Sequence, residues 1–139
     1  MFIALKTHPW AYPALEVVHL IGIALLVGNL IAFELRTWGA VPRIDVRDLA
    51  KLSLSIAVTG FSIAAASGLL LFASQAEELI ANRAFLAKMG LIMIAGGNAA
   101  WFHARGSLSK LDSVAKLQTL VSGLIWIAAI AAGRWIAYI

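Results

Sequence analysis

Apolar residues fall into four long blocks along this chain, and charged residues gather between them. The blocks cover about residues 12–37, 52–73, 83–104 and 113–138. Each is close to the roughly 20 residues that an α-helix needs to cross the hydrocarbon core of a bilayer. The interior of the first, 17–33, carries no Asp, Glu, Lys or Arg. The third is interrupted only by Lys88, and the fourth holds Arg134 near its end. No alternation of period two runs through them, and an open sheet could not satisfy its backbone in lipid. The pattern predicts an all-α integral membrane four-helix bundle, one transmembrane domain over residues 1–139. Asn82 before the third block, and Asp112 with Ser113 before the fourth, are helix-start signals.

Composition strengthens this picture. Hydrophobic residues make up 62% and charged residues 13%, against about 45–50% and about 25% in soluble domains. Lipid must cover part of such a surface. No basic run opens the chain and no small-residue cleavage site closes a short apolar segment, so the first span is expected to be retained.

Charge sets the expected orientation. Arg36, Arg43, Arg47 and Lys51 follow the first span, and Arg105, Lys110 and Lys116 follow the third. The opposite side has Lys6, Arg83 and Arg134, with Glu77 and Glu78. The positive-inside rule places the first group in the cytoplasm and both termini on the outer, periplasmic side of a bacterial inner (cytoplasmic) membrane. Trp10, Tyr12, Trp135 and Tyr138 would form an outer aromatic belt. The net charge of +4 is distributed as topology determinants, with no basic block that would suit nucleic acid.

Small residues suggest helix contacts. Gly60, Ala64 and Gly68 repeat every four residues, and Gly96/Ala100 and Ala128/Ala132 offer shorter versions. Such ridges let helix backbones approach closely, within a protomer or between protomers. A homo-oligomer, dimer or trimer, is the expectation for so few helices.

Ionisable side chains at membrane depth are expensive, which makes them functional candidates. They are Glu16, His19, Glu34, Lys88, His103 and Arg134, with Asn29 and Asn98 as neutral polar groups. At 1.5 Å per residue His19 lies roughly 10 Å and Lys88 roughly 8 Å below the outer boundary. Glu16 and Arg134 lie shallower on the same side. Gly22, Ile23, Leu26, Leu30 and Phe33 share the stripe of His19. One imidazole, one glycine and bulky apolar groups are what a flat apolar cofactor needs: a close backbone approach and a ligand for its iron.

His19 and His103 differ in depth by about 20 Å, so they cannot share one iron. A haem on His19 would be five-coordinate, or take Met89, Lys88 or a second His19 across a dimer axis. Each residue also has a plainer role. His19 would be an interhelical hydrogen-bonder. Lys88 would snorkel or pair with Glu16, and Glu34 would pair with Arg36 or a neighbouring helix. His103 would anchor the interface beside Arg105, and Asn29 and Asn98 would link helices. His8 could bind a metal in the outer tail. The chain has no cysteine, which excludes disulfides, thiolate metal sites and iron–sulfur clusters. No Ser-His-Asp set, paired carboxylates or glycine-rich phosphate loop is visible.

Several segments carry a family resemblance. They are Glu16-Val17-Val18-His19-Leu20-Ile21-Gly22 running on to Phe33-Glu34-Leu35-Arg36, then Ser67-Gly68-Leu69-Leu70-Leu71-Phe72. Asn82-Arg83-Ala84-Phe85-Leu86-Ala87-Lys88 through Asn98 follows, and Ala132-Gly133-Arg134-Trp135-Ile136-Ala137-Tyr138 closes the chain. The chain resembles a family of small bacterial four-helix membrane proteins. That family is similar in turn to the CopD-like group, which includes copper-resistance membrane domains and HemJ-type protoporphyrinogen oxidases. The resemblance implies haem binding at His19 and a role for Lys88 beside it. The expectation is a haem b-binding redox protein that transfers electrons or oxidises a membrane-dissolved substrate such as a porphyrinogen or quinol. Its cofactor site would comprise His19, Gly22, Leu26, Lys88 and Arg134, the last two near the propionates, with Glu16, Asn98 and His103 as secondary candidates. Two alternatives stand beside it. One is a copper-handling protein using His8, Glu16, His19 and methionine. The other is a non-catalytic accessory or scaffold subunit that oligomerises through the Gly60/Ala64/Gly68 ridge.

Overall fold

A computed structural model describes residues 3–138. The elements are α1 (Ile3–Thr7), α2 (Ala11–Thr37), α3 (Val46–Ser74), α4 (Ala76–Ile80), α5 (Arg83–Arg105), α6 (Ser107–Lys110) and α7 (Ser113–Trp135), closed by a 3₁₀ turn, Ile136–Tyr138. The four long helices are apolar and long enough to cross a membrane. The protein is a multi-pass membrane protein with an all-α four-helix bundle fold, and its apolar outer faces meet lipid.

The helix ends follow local chemistry. Asn82 Oδ1 accepts from the Ala84 and Phe85 N–H groups at the start of α5, and Asp112 accepts from the Ala115 N–H at the start of α7, as the sequence predicts. α3 begins six residues earlier than the apolar block. Asp45 caps it by accepting from Arg47 and Asp48, so a polar first turn carrying Arg47, Asp48 and Lys51 extends the helix beyond the lipid-like zone. Short helices α4 and α6 lie in the connections between the second and third and between the third and fourth apolar blocks. Gly106 ends α5 in the left-handed region, φ +76°, where a side chain would be strained.

α2 packs chiefly on α3, and α5 on α7, with α2 against α7 joining the two pairs. Backbones approach most closely between α2 and α3. A Cβ on Gly22 would lie 2.6 Å from the Ala64 nitrogen and 2.7 Å from the Gly60 oxygen. One on Gly60 would lie 2.7 Å from the Gly22 oxygen and 2.7 Å from the Leu26 nitrogen. The Gly60/Ala64/Gly68 ridge therefore joins helices within the chain. α2 of the same chain thus packs against Gly60 and Ala64, part of the ridge weighed above for a contact between protomers. On α5 the buried alanines are Ala84 and Ala95, and on α7 Ala115 and Ala129; Ala95 and Ala129 are direct neighbours of the expected Gly96 and Ala128. Gly96 has open space around it.

The end of the bundle carrying Arg36, Arg43, Arg47 and Lys51 is here called the basic end, and the other the terminal end. The hydrophobic core lies near the basic end, where Phe33, Ala50, Phe102 and Ala115 cluster with Val46, Leu54 and Leu108 packed against them. Phe33 and Phe102 meet edge to face at 5.9 Å between centroids. Arg105 pairs with Asp112 across the α5–α7 connection and also donates to Ser107. At the terminal end Gln75 donates to the Tyr12 hydroxyl, Asn82 to the Ile136 carbonyl, and Phe72 stacks on Phe85.

Two measurements check this architecture. Gly22→Ala should destabilise the detergent-solubilised protein by about 1–3 kcal/mol, the usual cost of overpacking. Gly28→Ala, whose Cβ would meet nothing within 4 Å, should be neutral or gain up to about 1 kcal/mol from helix propensity. Equal stability of Gly22→Ala and wild type in chemical unfolding would contradict the close α2–α3 approach. Separately, hydrogen bonds from Arg105, with help from the Ala115 N–H, hold the Asp112 carboxyl well below the usual carboxylate range. A depressed folded value means that its stabilisation is present above about pH 4 and is lost as pH falls through the folded value. The stability gap between wild type and Asp112→Ala should therefore narrow progressively in acid, measured by thermal unfolding at stepped pH.

Candidate functional site

His19 stands on α2 one turn before Gly22, and the glycine contact lets its ring reach α3. His19 Nδ1 lies 2.8 Å from the Ala64 carbonyl oxygen and 3.2 Å from Ser67 Oγ. A carbonyl only accepts, so Nδ1 carries the proton. Ser67 in turn donates to the Ile63 carbonyl at 2.7 Å. Gly68 faces the ring, since a Cβ there would lie 3.2 Å from His19 Cε1. Nε2 has no hydrogen-bond partner among the described residues and is not sealed in protein. It is the lone pair left for a ligand.

Lys88 reaches toward the same region from α5. It lies half-buried. Its Nζ would be 2.9 Å from a Cβ on Gly133 of α7, so the absence of a side chain at Gly133 makes room for the ammonium. Neither Gly68 nor Gly133 was among the predicted site residues. Both belong to quoted segments, but only the folded geometry shows that they clear space for His19 and Lys88. The ion pairs among the described residues are Lys6–Glu78 and Arg105–Asp112. The Lys88–Glu16 and Glu34–Arg36 pairs weighed from the sequence are not formed.

The other candidates are dispersed. Gly22 and Leu26 are buried in the α2–α3 contact, so this stretch of the stripe expected to face a porphyrin faces the α3 backbone. Glu16 is exposed on α2. Met89 lies on an exposed side of α5. Arg134 donates to the Tyr138 hydroxyl at 3.0 Å and lies over its ring at 5.2 Å. His8 Nδ1 accepts from the Trp10 and Ala11 N–H groups and thereby caps the start of α2.

Asn98 Nδ2 donates to the Gln118 carbonyl at 2.8 Å, linking α5 to α7. Asn29 does not link helices; it donates to Leu25 in its own helix. His103 is exposed at the far end of α5 from Lys88, about 22 Å along the axis at 1.5 Å per residue. Arg36, the expected partner of Glu34, donates instead to the Ile44 and Pro42 carbonyls.

No protein family, no curated protein and no solved structure matches this chain.

The residues present meet some requirements of a haem and not others. A metal-bound histidine usually donates its second ring N–H to a carbonyl or carboxylate, which fixes the tautomer and raises the basicity of the ligating nitrogen. His19 has that arrangement, and Lys88 supplies a nearby cation for a carboxylate. Gly22 and Leu26 contribute no open wall.

The imidazole also ties two helices. His19→Phe, which keeps a ring and loses the bond, should lower stability by about 0.5–1.5 kcal/mol, the usual range for an interhelical hydrogen bond in a membrane protein. Chemical unfolding in mixed micelles measures this. An unchanged midpoint would show that the His19–Ala64 bond contributes nothing to holding the helix pair.

Proposed function

We propose that this protein is a haem b-binding redox protein of the bacterial inner membrane, with His19 as an axial ligand. One observation carries the reading: His19 Nδ1 is engaged by the Ala64 carbonyl while Nε2 is left free. When bound, haem supplies one-electron chemistry, suited to electron transfer or to oxidation of a lipid-dissolved porphyrinogen or quinol. The chain's own contributions are distinct. Ala64 and Ser67 hold the imidazole in one tautomer and orientation. Gly68 clears space beside the ring. Lys88, without an acceptor among the described residues, offers a cation to a propionate, an interaction strengthened by charge. The resemblance to the CopD-like group supports the same assignment. In this reading both termini face the periplasm, and a homo-oligomer or a redox partner completes the enclosure of the cofactor.

Copper handling fits the donor set less well. His8 is occupied in capping α2, and no three His, Asp or Glu side chains gather as a ligand set among the described residues. A haem asks for only one or two protein ligands. The scaffold reading loses its named contact, because α2 of the same chain packs on Gly60 and Ala64.

An absorption spectrum with parallel metal analysis separates the three. Protein solubilised from haem-replete cells should show a Soret band that is lost or shifted in His19→Ala. A colourless, metal-free wild type, or a Soret band unchanged in His19→Ala, would overturn the haem assignment. Copper in stoichiometric amount would favour the alternative.

A further inference from the structure

A second polar site lies toward the basic end, well away from His19. Glu34 of α2, Asn98 and His103 of α5, and Gln118 of α7 border a cavity of about 50 Å³. Most of its wall is apolar, yet two polar atoms there are buried and without partners. Glu34 Oε1 has no donor, and Gln118 Nε2 has no acceptor. Gln118 is only 2% exposed. Its other polar atoms are satisfied, Oε1 by the Ser107 hydroxyl and the backbone carbonyl by Asn98.

The bundle makes room for the carboxyl. A Cβ on Gly123 would lie 2.9 Å from Glu34 Oε2, so any side chain at that position of α7 would displace it. Glu34 and His103 are the titratable groups that border the cavity, and no Lys or Arg borders it. No cation lies within ion-pair distance of Glu34 among the described residues.

Unpaired buried polar atoms are costly, and in native proteins a bound water often satisfies them. The two orphans are complementary: the carboxyl oxygen needs a donor and the amide nitrogen needs an acceptor. A water molecule supplies both at once, whereas an ammonium-like cation has no lone pair for the amide. The volume suits a few waters, about three to five at roughly 10–15 Å³ each. His103 borders the same space and is itself exposed. His103 belongs to the last turn of α5, so a path from the carboxyl past it to the basic end would be short.

We propose that this cavity is a hydrated proton-exchange site, in which ordered water bridges the Glu34 carboxyl to the Gln118 amide and connects that carboxyl past His103 to the aqueous phase. In each exchange the Glu34 carboxyl passes a proton to a neighbouring water or takes one from it, and no other bond changes. The site is independent of any cofactor at His19. It gives the chain a proton-handling group at the opposite end of the bundle from His19 and Lys88.

Infrared difference spectroscopy of the full-length protein in lipid bilayers tests this. Changing the pH of the wild type should interconvert the protonated and ionised bands of a membrane-embedded carboxyl, and Glu34→Gln should lack them. On transfer to D2O the protonated band should shift within seconds. Gln118→Leu, which replaces the amide partner by an apolar side chain of similar size, should slow that exchange at least tenfold. Three results would overturn the proposal: a carboxyl band that resists deuteration for hours, a Glu34→Gln spectrum identical to wild type, or unchanged exchange in Gln118→Leu. The deuteration rate is read on wild type, so the test stands even where a variant does not fold.

Discussion

The closest helix approach in this bundle brings Gly22 of α2 against Gly60 of α3. With no Cβ on Gly22 or Gly60, the two backbones approach closely enough that a methyl at either position would collide with main-chain atoms. In lipid, packing of this kind has to supply what the hydrophobic effect supplies in water, since hydrocarbon tails are as apolar as leucine. The close approach also brings the His19 ring within hydrogen-bonding distance of a carbonyl on the partner helix. The helix contact and the imidazole geometry are therefore two consequences of one constraint.

The rest of the bundle is built around that pair. α5 and α7 form the second pair, linked by the Asn98–Gln118 bond and closed at the basic end by the Arg105–Asp112 contact. The pairs meet through aromatic contacts, Phe33 with Phe102 near the basic end, Phe61 with Trp126, and Phe72 with Phe85 near the terminal end. Ionisable groups sit where small residues of another helix make room for them. His19 lies against Gly68, Lys88 against Gly133 and Glu34 against Gly123. Three glycines on two helices thus accommodate three polar side chains at membrane depth. The consequence is one imidazole–amine region toward the terminal end and one carboxyl–amide region toward the basic end.

Much of the fold was legible from hydropathy alone, because a bilayer-spanning helix leaves an apolar run that little else imitates. The caps at Asn82 and Asp112 were legible as well, since they depend on short-range chemistry. The start of α3 was not: the polar turn after Asp45 reads as loop when membrane length is the criterion. Helical phase put Gly22 and His19 on one stripe, as the structure does. It could not tell whether that stripe faced a cofactor or a neighbouring helix, and Gly60 decides that for Gly22 and Leu26. Pairings were the least readable feature. Arg36 beside Glu34, and Glu16 near the depth of Lys88, are plausible partners by spacing. Rotation about the helix axes instead directs Arg36 to loop carbonyls and leaves Glu16 on the outside. Gln118 drew no attention in the sequence, because a glutamine near a helix start carries no motif; only its burial marks it.

Both the helix tie and the free nitrogen at His19 depend on which ring nitrogen carries the proton. Nitrogen-15 NMR of histidine-labelled protein in lipid bilayers, with the His19 resonances assigned by their loss in His19→Phe, reads it directly. The account predicts a His19 imidazole protonated at Nδ1, with that proton hydrogen-bonded across the α2–α3 contact, and with Nε2 bare or bound to a metal. A ring protonated at Nε2 with an unprotonated Nδ1 would contradict it.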